Sequence, residues 1–117
     1  MIMRISMPRG DIYPVRFQIY ETETEITHID FTQIYMTCKK CAKDITPLFQ
    51  KSLSSGTIEK LADGDYQFRI EPEDTNNLPF GEYVFDIELI YEDQIKQTIF
   101  GTLRLCEEAT YAVNEVS

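Results

Sequence analysis

Hydrophobic and polar positions alternate with a period of two along most of this chain. Tyr13, Val15, Phe17 and Ile19 alternate with Pro14, Arg16, Gln18 and Tyr20, which is the pattern of a strand with one face in a core and the other in water. Pro14 has no N–H to give to a ladder, so this strand is predicted at a sheet edge or irregular at its start. The acidic, Thr-rich stretch 21–27 reads as a loop. The next strand turns Ile34, Met36 and Cys38 inward and Gln33, Tyr35 and Thr37 outward, and residues 2–7 add a short N-terminal strand.

The middle of the chain is more broken. Pro47 interrupts residues 45–51, and Leu48 and Phe49 are adjacent apolar residues, so this stretch fits either a strand or an irregular edge. Ser54-Ser55-Gly56 marks a turn, and Asp63-Gly64 predicts a tight hairpin joining 57–62 to 65–71, with both central residues at positive φ. Tyr66, Phe68 and Ile70 form the following inward row. Residues 72–79 are dense in turn formers and predict a connection between sheets, with one helical turn opened by Pro72.

Beyond Gly81, Tyr83, Phe85, Ile87 and Leu89 alternate with Val84, Asp86, Glu88 and Ile90. After a turn around Glu92-Asp93-Gln94, Ile99, Gly101, Leu103 and Leu105 share one face. Residues 107–117 carry no sustained pattern and are expected to form a tail or an assembly arm. About seven or eight strands without a long amphipathic helix predict an all-β, two-sheet immunoglobulin-like sandwich, with an up-and-down barrel as the alternative. The expected organisation is a single β-sandwich domain over residues 1–110 and a C-terminal tail over 111–117. The absence of Trp and the cysteine spacing set the chain apart from antibody domains proper.

Composition narrows the function. A chain of 117 residues with 43% hydrophobic and 12% aromatic content can bury one core despite its net charge of -9. Twenty acidic residues against eleven basic ones repel phosphate backbones and anionic bilayers, so neither nucleic acid nor membrane is an expected partner. No apolar run approaches the roughly 20 residues of a membrane helix, and Arg4, Pro8 and Arg9 interrupt the start before a signal-peptide core can form.

The three cysteines are an odd number and are expected to be reduced. Cys38 and Cys41 have the spacing of half a zinc site, but only Cys106 and His28 remain to complete it, so no metal is expected. His28 is the lone imidazole, with no sequence motif to orient it beside a nucleophile. The five scattered glycines make no phosphate loop. No catalytic residue and no cofactor are therefore assigned. Arg9-Gly10-Asp11 matches a triplet of integrin ligands, but it reads more simply as a turn entering the first long strand. Tyr20, Tyr35 and Tyr91, with Tyr111, are candidate interface residues, because tyrosine buries much area at small entropic cost. An aromatic platform of this kind also suits a carbohydrate-binding module.

The order of elements carries a resemblance. It runs through Arg9-Gly10-Asp11, Phe17, Ile29-Asp30-Phe31-Thr32, Lys39-Lys40 and Pro72-Glu73-Asp74-Thr75, and then Leu78, the run Gly81-Glu82-Tyr83-Val84-Phe85-Asp86-Ile87, Thr98 and Gly101. In these positions the chain resembles small phage and prophage structural proteins, including the N-terminal domain of siphophage upper-baseplate proteins. It departs from them where Asp93-Gln94 stands for the usual Asp-Gly of the last hairpin, and where Phe31 stands for Leu.

The resemblance implies a non-enzymatic virion component, made and assembled in the host cytoplasm. Such a protein is a tail or baseplate adaptor or a head decoration or fibre subunit, and it contacts other virion proteins and further copies of itself. The matching residues carry structural expectations: positive φ at Gly81, core filling by Tyr83, a close approach at Gly101, and hydrogen bonds to Asp86 that fix a neighbouring loop. A carbohydrate-binding module is the alternative, and an acidic immunity or regulatory protein a third reading.

Overall fold

The alternating segments become strands in a computed structural model that describes residues 2–107. In chain order they are β1 (Ile2–Pro8), β2 (Tyr13–Gln18), β3 (Gln33–Lys39), β4 (Phe49–Ser52), β5 (Ile58–Ala62) and β6 (Asp65–Ile70), then a single helical turn α1 (Pro72–Thr75), β7 (Gly81–Tyr91) and β8 (Gln94–Cys106). Five strands form one sheet in the order β1-β8-β7-β3-β4, and three form the other in the order β2-β6-β5. The two sheets face each other as a sandwich. Residues 111–117, the expected tail, lie outside the described residues.

Inward rows from both sheets build the core. Ile34, Met36 and Cys38 of β3, Ile87 and Leu89 of β7 and Leu103 of β8 are fully buried, as are Tyr66 and Ile70 of β6. The Phe17 ring stacks on Tyr66 at 5.8 Å, and Phe31, from the loop before β3, tilts against the same ring at 6.2 Å. Alternation placed these rows correctly because each strand has one dry and one wet face.

Three details depart from the pattern. Only Gly64 has positive φ in the Asp63-Gly64 turn, where the ladder shifts register between Lys60 and Ala62; the pair of positive-φ residues is instead Glu92 (φ 51) and Asp93 (φ 65), in the turn joining β7 to β8. Gly64 supplies the left-handed residue of the first hairpin and Glu92 with Asp93 those of the second, and each ladder shifts register close to its turn, the second between Leu89 and Ile90. The ambiguous 45–51 stretch yields only the short edge strand β4, with Ile45 and Leu48 exposed before it. Finally, β1 forms where expected, one residue longer, and runs parallel to β8, from Ile2 opposite Phe100 to Pro8 opposite Cys106. Pro14 sits on β2, an edge strand, where its missing N–H costs the ladder least.

Two of the four crossings between the sheets, β1 to β2 and β6 to β7, meet at one end and are tied together. Arg9 Nη1 donates to the Leu78 carbonyl at 3.1 Å, with its guanidinium 4.0 Å over the Phe80 ring. The Gly10 N–H donates to Thr75 Oγ1 at 2.9 Å, and Gly10 has φ 87. The Arg-Gly-Asp triplet is therefore a turn pinned against the α1–β7 connection.

In that connection the Glu71 N–H donates to Asp74 Oδ2, and Lys51 Nζ reaches the same oxygen at 2.5 Å. Lys51 stands opposite Met36 and points between the sheets, its side chain only 8% exposed. A lysine in an inward slot explains why hydrophobicity alone did not reveal β4. The Tyr83 hydroxyl donates back to the Pro79 carbonyl at 2.5 Å. A tyrosine near the start of a strand that bonds a few residues upstream, after a helical corner, is the tyrosine corner of immunoglobulin-type sandwiches.

Candidate interaction surface

The outer face of the five-stranded sheet departs most from what water favours. Its register places Ile2, Phe100, Asp86 and Thr37 in one row across β1, β8, β7 and β3, and Arg4, Thr102, Val84 and Lys39 in the row beside it. Ile2 and Phe100 are 57% and 59% exposed, and Ile95 further along β8 is 56% exposed. Ile2 and Phe100, with Val84 and Ala42, border a depression of about 250 Å³ that Asp86 also lines. Scattered apolar residues are ordinary on a surface, whereas a concave group of them is a candidate contact site.

Asp86 is half-buried and, among the described residues, has neither hydrogen bond nor ion pair. Desolvation raises its pKa above the ordinary aspartate value, and the nearby positive charge of Lys39 offsets this in part. The expected hydrogen bonds to Asp86 from a neighbouring loop are therefore not formed among the described residues. Other charged groups on this face are Glu82 and Glu88 of β7, Arg104 of β8 and Arg4 of β1.

The contrast with the second sheet is instructive. There Asp65 receives Arg16 Nε at 2.9 Å, and this hydrogen bond holds its carboxyl below the usual carboxylate range. Asp63 is shifted the same way by Lys60 first and by His28 second.

Gly81 enters β7 with φ 137, and Tyr83 is buried. Gly101 lies under the Phe85 ring, which fills the space where a Cβ would stand. Asp86 and Gly101 line the depression, whereas Gly81 and Tyr83 do not.

The candidate tyrosines do not converge. Tyr35 stands on the same outer face, opposite Glu88 and Ser52. Tyr91 is partly buried against the core at the far end of β7. Tyr20 is exposed beyond β2, donates to Gln18 Oε1 at 3.2 Å, and lines a separate groove of about 440 Å³ with Arg16, Gln97 and Thr98. Tyr111 lies outside the described residues. Phe100 and Ile2 were the residues that sequence reasoning missed. The signal was present in Phe100, an aromatic out of phase with inward Ile99 and Gly101.

No three His, Cys, Asp or Glu side chains converge to hold a metal among the described residues. Cys38 is buried, with its thiol pushed up to about 12 chiefly by desolvation and secondarily by the charge of Asp74. Cys41 is exposed, and Cys106 Sγ contacts the Met7 carbonyl at 3.4 Å. His28 Nδ1 is exposed and lies 3.5 Å from Asp63 Oδ2, so a carboxylate does stand beside it, although no sequence motif marked one. Among the described residues no helix is long and apolar enough to cross a membrane.

The described residues thus form an immunoglobulin-like two-sheet β-sandwich with a partly apolar outer sheet face. No protein-family model and no curated protein matches the chain. Among solved structures, an endo-β-1,4-mannanase from Thermotoga petrophila is similar over 92% of this chain, with 15% identity and a TM-score of 0.51. The chain spans only 18% of that enzyme's length, and the likeness is one of fold. The NK cell receptor Nkp44 is similar over 91% of this chain and 99% of its own, with 13% identity and a TM-score of 0.49.

Proposed function

We propose that this chain is a non-enzymatic structural protein of a phage virion, a tail or baseplate adaptor or a head decoration or fibre subunit, that acts through protein–protein contacts. The observation that carries the contact reading is the concave group of Ile2, Val84 and Phe100 on the outer face of the larger sheet. Open backbone edges support it. β2, β4 and β5 end their sheets, and β1 pairs with β8 only from Phe100 onward, so the first half of β8 has a free side among the described residues. Edges of this kind accept strands from neighbours, and repeated contacts between identical subunits build closed assemblies. The virion assignment itself rests on the sequence resemblance across Arg9-Gly10-Asp11, Pro72–Thr75 and the Gly81–Ile87 run.

Sequencing the DNA on either side of the gene tests the assignment. Portal, capsid, tail-tube or baseplate genes next door are the expected result. Metabolic or glycan-utilisation neighbours would overturn it.

One observation favours a second reading, a carbohydrate-binding module. The groove between β2 and β8 sets the Tyr20 ring beside the polar groups of Arg16, Gln18 and Gln97, a combination of stacking and hydrogen bonding that suits a sugar. Calorimetric titration of the isolated chain with manno- and cello-oligosaccharides decides it: saturable binding that is lost in Tyr20→Ala supports the module, and no heat of binding removes it.

A further inference from the structure

We propose that the depression around Asp86 is a docking site for an arginine side chain that a partner protein presents between apolar residues. This names the chemistry of the partner within the contact reading above and rests on it, though not on the virion assignment. Asp86 is the one acidic group lining a hollow that Ile2, Ala42, Val84, Phe85 and Phe100 make largely apolar and that Thr37, Lys39 and Thr102 also line, and among the described residues no hydrogen bond or ion pair satisfies it. A half-buried carboxylate without a donor is a cost the fold carries in isolation, and a cation arriving from outside removes that cost.

Three features select arginine. Phe100 stands directly opposite Asp86 in the ladder, so a planar guanidinium can lie on the aromatic ring while it bonds the carboxylate, which a compact ammonium does less well. Val84 and Ile2 border the hollow and receive the apolar flanks of the presenting segment. The whole chain carries -9, a long-range field that attracts a cationic partner, while on this face Glu82, Asp86 and Glu88 are balanced by Arg4, Lys39 and Arg104. That charge also disfavours a second copy of this chain as the occupant, because two copies repel. The molecule already uses the same recognition internally, where Arg9 lies over the Phe80 ring and bonds the Leu78 carbonyl.

The probe is the blocked tripeptide Leu-Arg-Leu, with Leu-citrulline-Leu as its neutral isostere, titrated into the isotope-labelled chain and followed by amide NMR. Saturable shifts are expected at Thr37, Val84, Asp86 and Phe100 with the arginine peptide. Binding is expected to be about tenfold weaker with citrulline or in Asp86→Asn, from the loss of a charge-assisted hydrogen bond. Lys39→Met, which removes the competing cation at the rim, is expected to tighten binding. Absence of saturable shifts, or equal binding by the citrulline peptide or by the Asp86→Asn chain, overturns the proposal. Shifts at the same amides on raising protein concentration without peptide would assign the hollow to a second copy and overturn it as well. Asp86→Asn removes an unpaired charge and keeps the side-chain shape, so failure to fold does not confuse the result. A virion assignment that fails on gene neighbours leaves this binding intact, and a failed titration leaves that assignment standing.

Discussion

Gly101 and Phe85 show how a single side chain shapes this sheet. The two residues are cross-strand partners on β8 and β7, and the Phe85 ring folds over the glycine into the place of its absent Cβ. Gly101→Ala is therefore expected to destabilise the fold by about 1–3 kcal/mol through overpacking. Urea unfolding of Gly101→Ala, Phe85→Leu and the double variant checks this, and the double variant is expected to lose less than the sum of the two.

Asp86 makes the opposite prediction at the same scale. Its folded pKa is raised, so the folded state binds its proton more tightly than the unfolded chain does, and the ionised group works against folding at neutral pH. Asp86→Asn is expected to be more stable than the parent at pH 7, with the difference fading as pH falls through the raised pKa and vanishing below the ordinary value of 3.8. Melting curves of both proteins across that range test it. Asp65 runs the other way: its lowered pKa contributes stability above the unfolded value that is lost as pH falls through the folded one. Asp86 was legible in the sequence as an outward residue. That it has no partner was not, because this depends on Thr37 and Phe100, which lie far away in sequence and directly opposite in the sheet.

At the scale of elements, alternation located β3, β7 and β8 because one buried face imposes a strict period of two. It failed where side chains other than apolar ones fill the inward slot. β4 turns Lys51 into the sandwich, and the lysine is tolerated only because Asp74 meets it at 2.5 Å. Asp74→Asn leaves that ammonium buried without its counter-charge while keeping an acceptor for the Glu71 N–H. A loss of about 3–5 kcal/mol is expected, measured by urea unfolding.

Turn chemistry was only half legible. The β7–β8 turn places two non-glycine residues in the left-handed region, Glu92 at φ 51 and Asp93 at φ 65, a conformation that costs roughly 1–2 kcal/mol per ordinary residue. The double substitution Glu92→Asn and Asp93→Gly supplies the residues this turn type favours and is expected to add about 1 kcal/mol of stability in the same assay.

For the molecule as a whole, the two-sheet architecture followed from strand number and turn spacing, but the pairing of β1 with β8 did not. These strands are separated by nearly the full chain and pair in parallel, and no local pattern encodes a partner so distant. The same limit applied to the interaction surface. A period of two says which residues face out, but not which outward residues from four strands meet. Hence Tyr20, Tyr35 and Tyr91 stand apart, while Ile2, Val84 and Phe100 come together around Asp86. The resulting picture is a two-sheet sandwich that exposes a partly apolar hollow lined by Asp86 and several open strand edges.

Mass spectrometry of density-gradient-purified particles, from cells in which the element carrying this gene has been induced, tests the account most directly. This chain is expected in the particle fraction at a fixed stoichiometry to the other structural proteins. Finding the chain wholly in the soluble fraction, while particles sediment with their remaining proteins complete, would contradict it.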